Sequence, residues 1–131
     1  MYADDYYKKL VQKDGMKTVL NSFHALEKNH DLIIIEGAGS PAEINLSRYD
    51  IANMKLAEKT KSPVILITDI ERGGSFGSIV GTMSLLEKKY QRMIKGFVFN
   101  KFRGDLDILK PGFRKLKQNT RKPVFGTIPL T

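Results

Sequence analysis

Residues 63–76 read Pro63-Val64-Ile65-Leu66-Ile67-Thr68-Asp69-Ile70-Glu71-Arg72-Gly73-Gly74-Ser75-Phe76. The run Val64-Ile65-Leu66-Ile67 has no polar alternation, the pattern of a strand buried on both faces of a parallel sheet. It stops at Asp69 and passes a glycine pair. Beyond it Phe76, Ile79, Val80, Met83, Leu86 and Tyr90 recur at helical spacing. A strand, a chemically loaded turn and an amphipathic helix make one unit of an α/β sheet.

Outward from this unit the pattern repeats. Leu32-Ile33-Ile34-Ile35 and Phe97-Val98-Phe99 are further continuous apolar runs, and a shorter one lies around Val124-Phe125. Strands are expected near residues 32–36, 63–69 and 95–100. Before the first run, Met16, Val19, Leu20, Phe23 and Leu26 mark a helix up to about His30, with Gly15 separating it from a short helix. Ile51, Met54, Leu56 and Ala57 mark another, with Asp50 as its cap. Leu106, Leu109, Phe113 and Leu116 mark a third, interrupted by Pro111-Gly112. The expected fold is α/β, a three-layer α/β/α parallel sheet.

The strand ends carry the chemistry. Glu36, Asp69 and Asn100 each close an apolar run, and open parallel sheets bind ligands outside the carboxyl ends of their strands. Glu36 and Asp69 are hard oxygen ligands of the kind Mg²⁺ prefers. Gly37, Gly39, Gly73 and Gly74 allow close backbone approach, and the second pair precedes a helix whose N-terminus favours anions. Asn100 has donor and acceptor atoms suited to a base edge. A turn glycine or a capping carboxylate would explain each end singly. The three ends together point to a nucleotide with a metal. No G-x-x-x-x-G-K-[ST] phosphate loop occurs, and the G-x-G at Gly37–Gly39 lacks the third glycine of a dinucleotide fingerprint. His24 and His30 read as structural or solvated.

Composition bounds the rest. The 131 residues fit one domain, 41% hydrophobic and 27% charged. There is no cysteine, which excludes disulfides and thiolate metal sites and fits a reducing, cytoplasmic setting. The longest apolar runs are about six residues, far short of the roughly 20 a membrane span needs. Of the net charge of +8, residues 101–122 supply most, with eight Lys/Arg against Asp105 and Asp107. This stretch is a solvated helix face or a patch for an anionic partner. Its only aromatics, Phe102 and Phe113, make no alternating stacking platform, so no nucleic-acid partner is expected.

At the strand ends the chain resembles the cobyric acid synthase family. The resemblance is carried by Glu36-Gly37-Ala38-Gly39-Ser40-Pro41-Ala42-Glu43-Ile44-Asn45-Leu46, by Asp50-Ile51-Ala52-Asn53-Met54, and by Asp69-Ile70-Glu71-Arg72-Gly73-Gly74-Ser75-Phe76. Gly81-Thr82, Asn100-Lys101-Phe102-Arg103-Gly104-Asp105 and Gly126-Thr127-Ile128-Pro129 extend it over about residues 31–131. Glu-Gly-Ala-Gly alone also suits dethiobiotin synthetase or cobyrinate diamide synthase. Ser-Pro-Ala-Glu-Ile-Asn-Leu favours the cobyric acid enzyme.

The resemblance implies a P-loop NTPase-like, dethiobiotin-synthetase-like ATP-binding domain joined to a glutamine amidotransferase domain. Such enzymes amidate side-chain carboxylates of adenosylcobyrinic acid a,c-diamide. ATP activates each carboxylate as an acyl phosphate, and ammonia from glutamine displaces the phosphate. By this resemblance Glu36, Asp69 and Arg72 are catalytic, and Glu36 and Asp69 hold Mg²⁺. Gly37, Gly39, Gly73, Gly74, Asn100, Lys101 and Pro129 bind the nucleotide, Asn100 at the adenine. The family's phosphate loop and its glutaminase domain with a Cys nucleophile have no counterpart in this sequence. Residues 1–131 therefore read as a single partial amidoligase domain, its sheet incomplete, expected to be inactive alone. An exposed sheet edge would favour pairing with another copy. A partial nucleotide-binding module that works beside another chain is the alternative.

Overall fold

The computed structural model describes residues 14–45, 47 and 50–131. They fall into two compact units, one up to Ser62 and one from Pro63 to Thr131.

In the second unit the apolar runs become the strands β1 (Val64–Asp69), β2 (Ile94–Phe102) and β3 (Val124–Pro129). They form one parallel sheet in the order β1-β2-β3. Continuous apolar sequence and intervening helices leave parallel pairing as the way to satisfy the backbone. β2 is central and carries the core: Ile94, Phe97 and Phe99 are fully buried.

A helix α3 (Ser75–Leu85) follows β1, and a helix α5 (Lys110–Thr120) precedes β3. Both lie on one face of the sheet, where Phe76 of α3, Phe99 of β2 and Phe113 of α5 cluster. The ring centroids are 4.8 Å apart for Phe76–Phe99, 5.2 Å for Phe99–Phe113 and 6.1 Å for Phe76–Phe113. Each such pair adds about 0.5–1.5 kcal/mol beyond its buried area. Gly112 lets the first turn of α5 lie on the Phe76 ring, since a Cβ there would sit 2.6 Å from its Cζ. On the opposite face Ile65, Ile67, Phe125 and Ile128 are exposed. The fold class is thus the one expected, an incomplete parallel α/β sheet with flanking helices, but β1 and β3 are each covered on one face only.

Two helical patterns divide differently from the expectation. The apolar spacing from Phe76 to Tyr90 continues, but Leu86 is extended, at φ −73° and ψ 145°. The chain therefore breaks between α3 and a short α4 (Lys88–Met93). Pro111 and Gly112 do not interrupt a helix. Leu106–Ile108 is a separate 3₁₀ turn, and α5 begins at Lys110 with Pro111 in its first turn, where a missing N–H costs nothing.

In the first unit α1 (Met16–Glu27) follows Gly15 as expected, and the short helix expected before Gly15 lies outside the described residues. α2 (Met54–Thr60) buries Met54, Leu56 and Ala57. The strand expected near residues 32–36 does not form. Leu32–Ile35 joins no ladder, and Leu32 and Ile34 are 76% and 87% exposed. Apolar content alone does not make a strand. A neighbouring strand must take its N–H and C=O groups, and among the described residues none does.

Candidate functional site

The second unit gathers its polar strand ends on one edge. Asp69 closes β1 directly opposite Asn100 in β2, and Phe102 stands opposite Pro129 in β3. Lys101 follows Asn100 with φ +60°, a left-handed conformation that costs a non-glycine residue energy. From there its Nζ donates to Asp69 Oδ2 at 2.8 Å. The Glu71 N–H donates to the other carboxylate oxygen at 3.0 Å. Lys101 first, then the Glu71 amide and the charges of Lys101 and Arg72, hold the Asp69 carboxyl below the usual carboxylate range. Both oxygens of Asp69 thus have one partner each.

Arg72 Nε lies 3.9 Å from Asp69 and its side chain is largely in solvent. A second ion pair joins the two loops, Arg103 to Glu71 at 2.9 Å. The Asn100 side-chain oxygen accepts the Lys101 N–H at 2.9 Å, so its carboxamide acceptor is already engaged. Gly73 and Gly74 take φ +73° and +65°, and Gly74 delivers the chain into α3. A Cβ at either would meet nothing within 4 Å, so glycine is required there by backbone conformation rather than by a close neighbour.

The first unit carries Glu36, Gly37 and Gly39. Glu36 is exposed, and no ion pair or hydrogen bond of its side chain exists among the described residues. Gly39 has φ +65°. Gly37 has an ordinary φ, but a Cβ there would collide with Asn53 Oδ1. The close approach that this glycine permits is to Asn53. α2 starts at Met54, three residues later than an Asp50 cap implies, and Asn53 is its N-cap. Asp50 instead braces the approach to the helix: its Oδ1 accepts the N–H of Ala52 at 3.0 Å and of Asn53 at 2.7 Å, and its Oδ2 that of Lys55 at 3.0 Å. In the sequence Asn53 is one residue of the Asp50–Met54 motif, with no task of its own. Its contact with a loop 15 residues upstream has no local signal.

Among the described residues no cluster of three or more His, Cys, Asp or Glu is placed to hold a metal ion, and no helix is long and apolar enough to cross a membrane.

A parallel α/β sheet with acidic, amide and basic residues at its carboxyl strand ends defines the class, an α/β protein whose ligands bind at that edge. A family model described as an AAA domain matches residues 3–131, and the chain belongs to that family. Among curated proteins it is similar to a probable cobyric acid synthase of Thermococcus kodakarensis, 59% identical over 104 residues, 79% of this chain and 22% of the relative. It is also similar to the cobyric acid synthases of Thermodesulfovibrio yellowstonii, 53% identical over 95% of this chain and 25% of the relative, and Aliivibrio fischeri, 52% identical over 94% and 24%. The resemblance read from the motifs is therefore borne out. The chain spans about a quarter of the length of the relatives it matches. No solved structure matches it significantly.

Proposed function

We propose that this chain forms part of the ATP-dependent amidoligase domain of a cobyric acid synthase. In this reading it acts in the cytoplasm on side-chain carboxylates of adenosylcobyrinic acid a,c-diamide, with ammonia from a glutaminase domain. The observation that carries the reading is the convergence of the motif residues. Asp69, Asn100 and Lys101 stand together at the carboxyl ends of adjacent strands, Asp69 bonded to Lys101.

Each residue has a task in this reading. Lys101, anchored by Asp69, presents an ammonium to anionic oxygen, and Arg72 adds a second, exposed cation beside it. The start of α3 beyond Gly74 favours phosphate oxygens. The Asn100 amide group donates to an acceptor on the base while its oxygen holds the Lys101 N–H. Pro129, opposite Phe102, flanks the base. Glu36, exposed and without a partner among the described residues, fits a Mg²⁺ ligand. When bound, Mg²⁺ neutralises charge on phosphoryl oxygens. Asp69, with both oxygens engaged, serves as the anchor of Lys101.

The test replaces the matching segment of the Thermodesulfovibrio yellowstonii relative with this chain. The chimera is offered adenosylcobyrinic acid a,c-diamide, cobyrinic acid or diaminopelargonic acid with ATP, glutamine and bicarbonate. ATP-dependent amidation of the first alone is expected, read by mass spectrometry. A folded chimera that hydrolyses glutamine but amidates none of them, or turns over another substrate instead, overturns the reading.

A further inference from the structure

The loop that carries Glu36 is built to be loose, yet it is pinned. Gly37, Ala38 and Gly39 are all exposed and lie in no strand or helix. Gly39 takes a left-handed φ of +65°. Two glycines in three residues give the unfolded and loosely folded chain many accessible conformations. A carboxylate placed at the head of such a segment samples many positions unless something outside the loop restrains it.

Asn53 supplies that restraint. Its Nδ2 donates to the Ala38 carbonyl at 2.7 Å, a bond between residues 15 apart in sequence. Its Oδ1 occupies the space that a side chain at position 37 would need. The same carboxamide therefore touches two successive loop residues, one by hydrogen bond and one by contact. Asn53 is itself fixed at its base. Its N–H is held by Asp50 Oδ1 at 2.7 Å, the shortest of the three backbone bonds Asp50 accepts. Immediately after it, Met54 starts α2 with a buried side chain. The chain of restraint runs from the packed helix start, through Asp50 and Asn53, to the Gly37-Ala38-Gly39 loop.

We propose that Asn53, braced by Asp50, is a positioning residue that orders this loop and so sets the place of the Glu36 carboxylate. The Glu36 half of this rests on the reading under Proposed function. Loop order rests on geometry alone, which keeps the two separable.

The test has an order arm and an activity arm. In the full 131-residue chain, backbone ¹⁵N relaxation reads the order of residues 37–39 in the unaltered protein, Asn53→Ala and Gly37→Ala. The second variant attacks the same contact from the loop side and leaves Asn53 in place. Both are expected to lower the loop order parameters from near the rigid value of about 0.85 toward about 0.6, while the amides of α2 stay rigid. Unchanged loop order in either variant, with α2 intact, overturns the proposal. In the chimeric synthase, Asn53→Ala is expected to raise the Mg²⁺ concentration for half-maximal amidation by about fivefold or more. Combined with Glu36→Gln, it should add no further loss, because both changes act through one carboxylate. Full additivity would mean that Asn53 acts elsewhere and overturns the proposal. If Glu36→Gln alone changes nothing, the Glu36 assignment fails, and the order arm still decides whether Asn53 orders the loop.

Discussion

Gly96 in the middle of β2 is where a single methyl group tests the packing of the sheet. A Cβ there would lie 2.6 and 2.7 Å from the Phe125 ring and 2.8 Å from the Pro123 carbonyl oxygen. Carbon contacts are comfortable at about 3.5–4.0 Å, so both neighbours must yield. They differ in how easily they do. The Phe125 ring is 55% exposed and can turn into solvent. The Pro123 carbonyl accepts the Phe97 N–H at 3.0 Å, and Phe97 is fully buried. Moving that oxygen weakens a backbone bond in the core. Overpacking costs about 1–3 kcal/mol, and the stiffer unfolded chain returns about 0.4–1 kcal/mol. Gly96→Ala should therefore destabilise the chain by about 1–2 kcal/mol, measured by urea unfolding with far-UV circular dichroism. Placing the same substitution in a Phe125→Ala background removes the ring but not the carbonyl. A net penalty should persist, because the carbonyl still resists the added methyl group after the ring is gone. A neutral Gly96→Ala, or a penalty that vanishes without the ring, would show that the Pro123 carbonyl does not resist the added methyl group.

Two further outcomes follow from named contacts. Asp50→Ala removes three backbone hydrogen bonds, two just before α2 and one in its first turn, and should cost about 1–2 kcal/mol in the same unfolding assay, with Asp50→Asn recovering part of it. The Asp69 carboxyl is held low chiefly by Lys101, so the ion pair is present throughout the neutral range. Because the folded value is depressed, any stabilisation from the pair is present above the ordinary carboxylate value and lost only as pH falls through the folded one. ¹³C titration of Asp69 by NMR should show this, and Lys101→Met should move the midpoint up.

Much of the fold was legible because it depends on local runs. Val64–Ile67, Phe97–Phe99 and Val124-Phe125 became strands, and their order along the chain is their order in the sheet. Leu32–Ile35 carries the same signal and forms no strand, since pairing is a property of the neighbour rather than of the run. Pro111 breaks a helix in its middle but starts one in its first turn, and only the fold shows that it lies in the first turn of α5. At the site, the residue types were readable and their partners were not. Asp69 is legible as a carboxylate at a strand end. Only the fold brings Lys101, 32 residues on, into contact with it. Asn53 was hidden for the same reason.

The most direct measurement is the steady-state amidation rate of the chimeric synthase with Glu36→Gln, taken across a range of Mg²⁺ concentrations. Gln keeps the size and hydrogen-bonding capacity of Glu but removes its charge. If Glu36 holds Mg²⁺, turnover falls at least about tenfold, a barrier change of roughly 1.4 kcal/mol, with an altered Mg²⁺ dependence and intact glutamine hydrolysis. Near-unchanged turnover with the same Mg²⁺ dependence would contradict it.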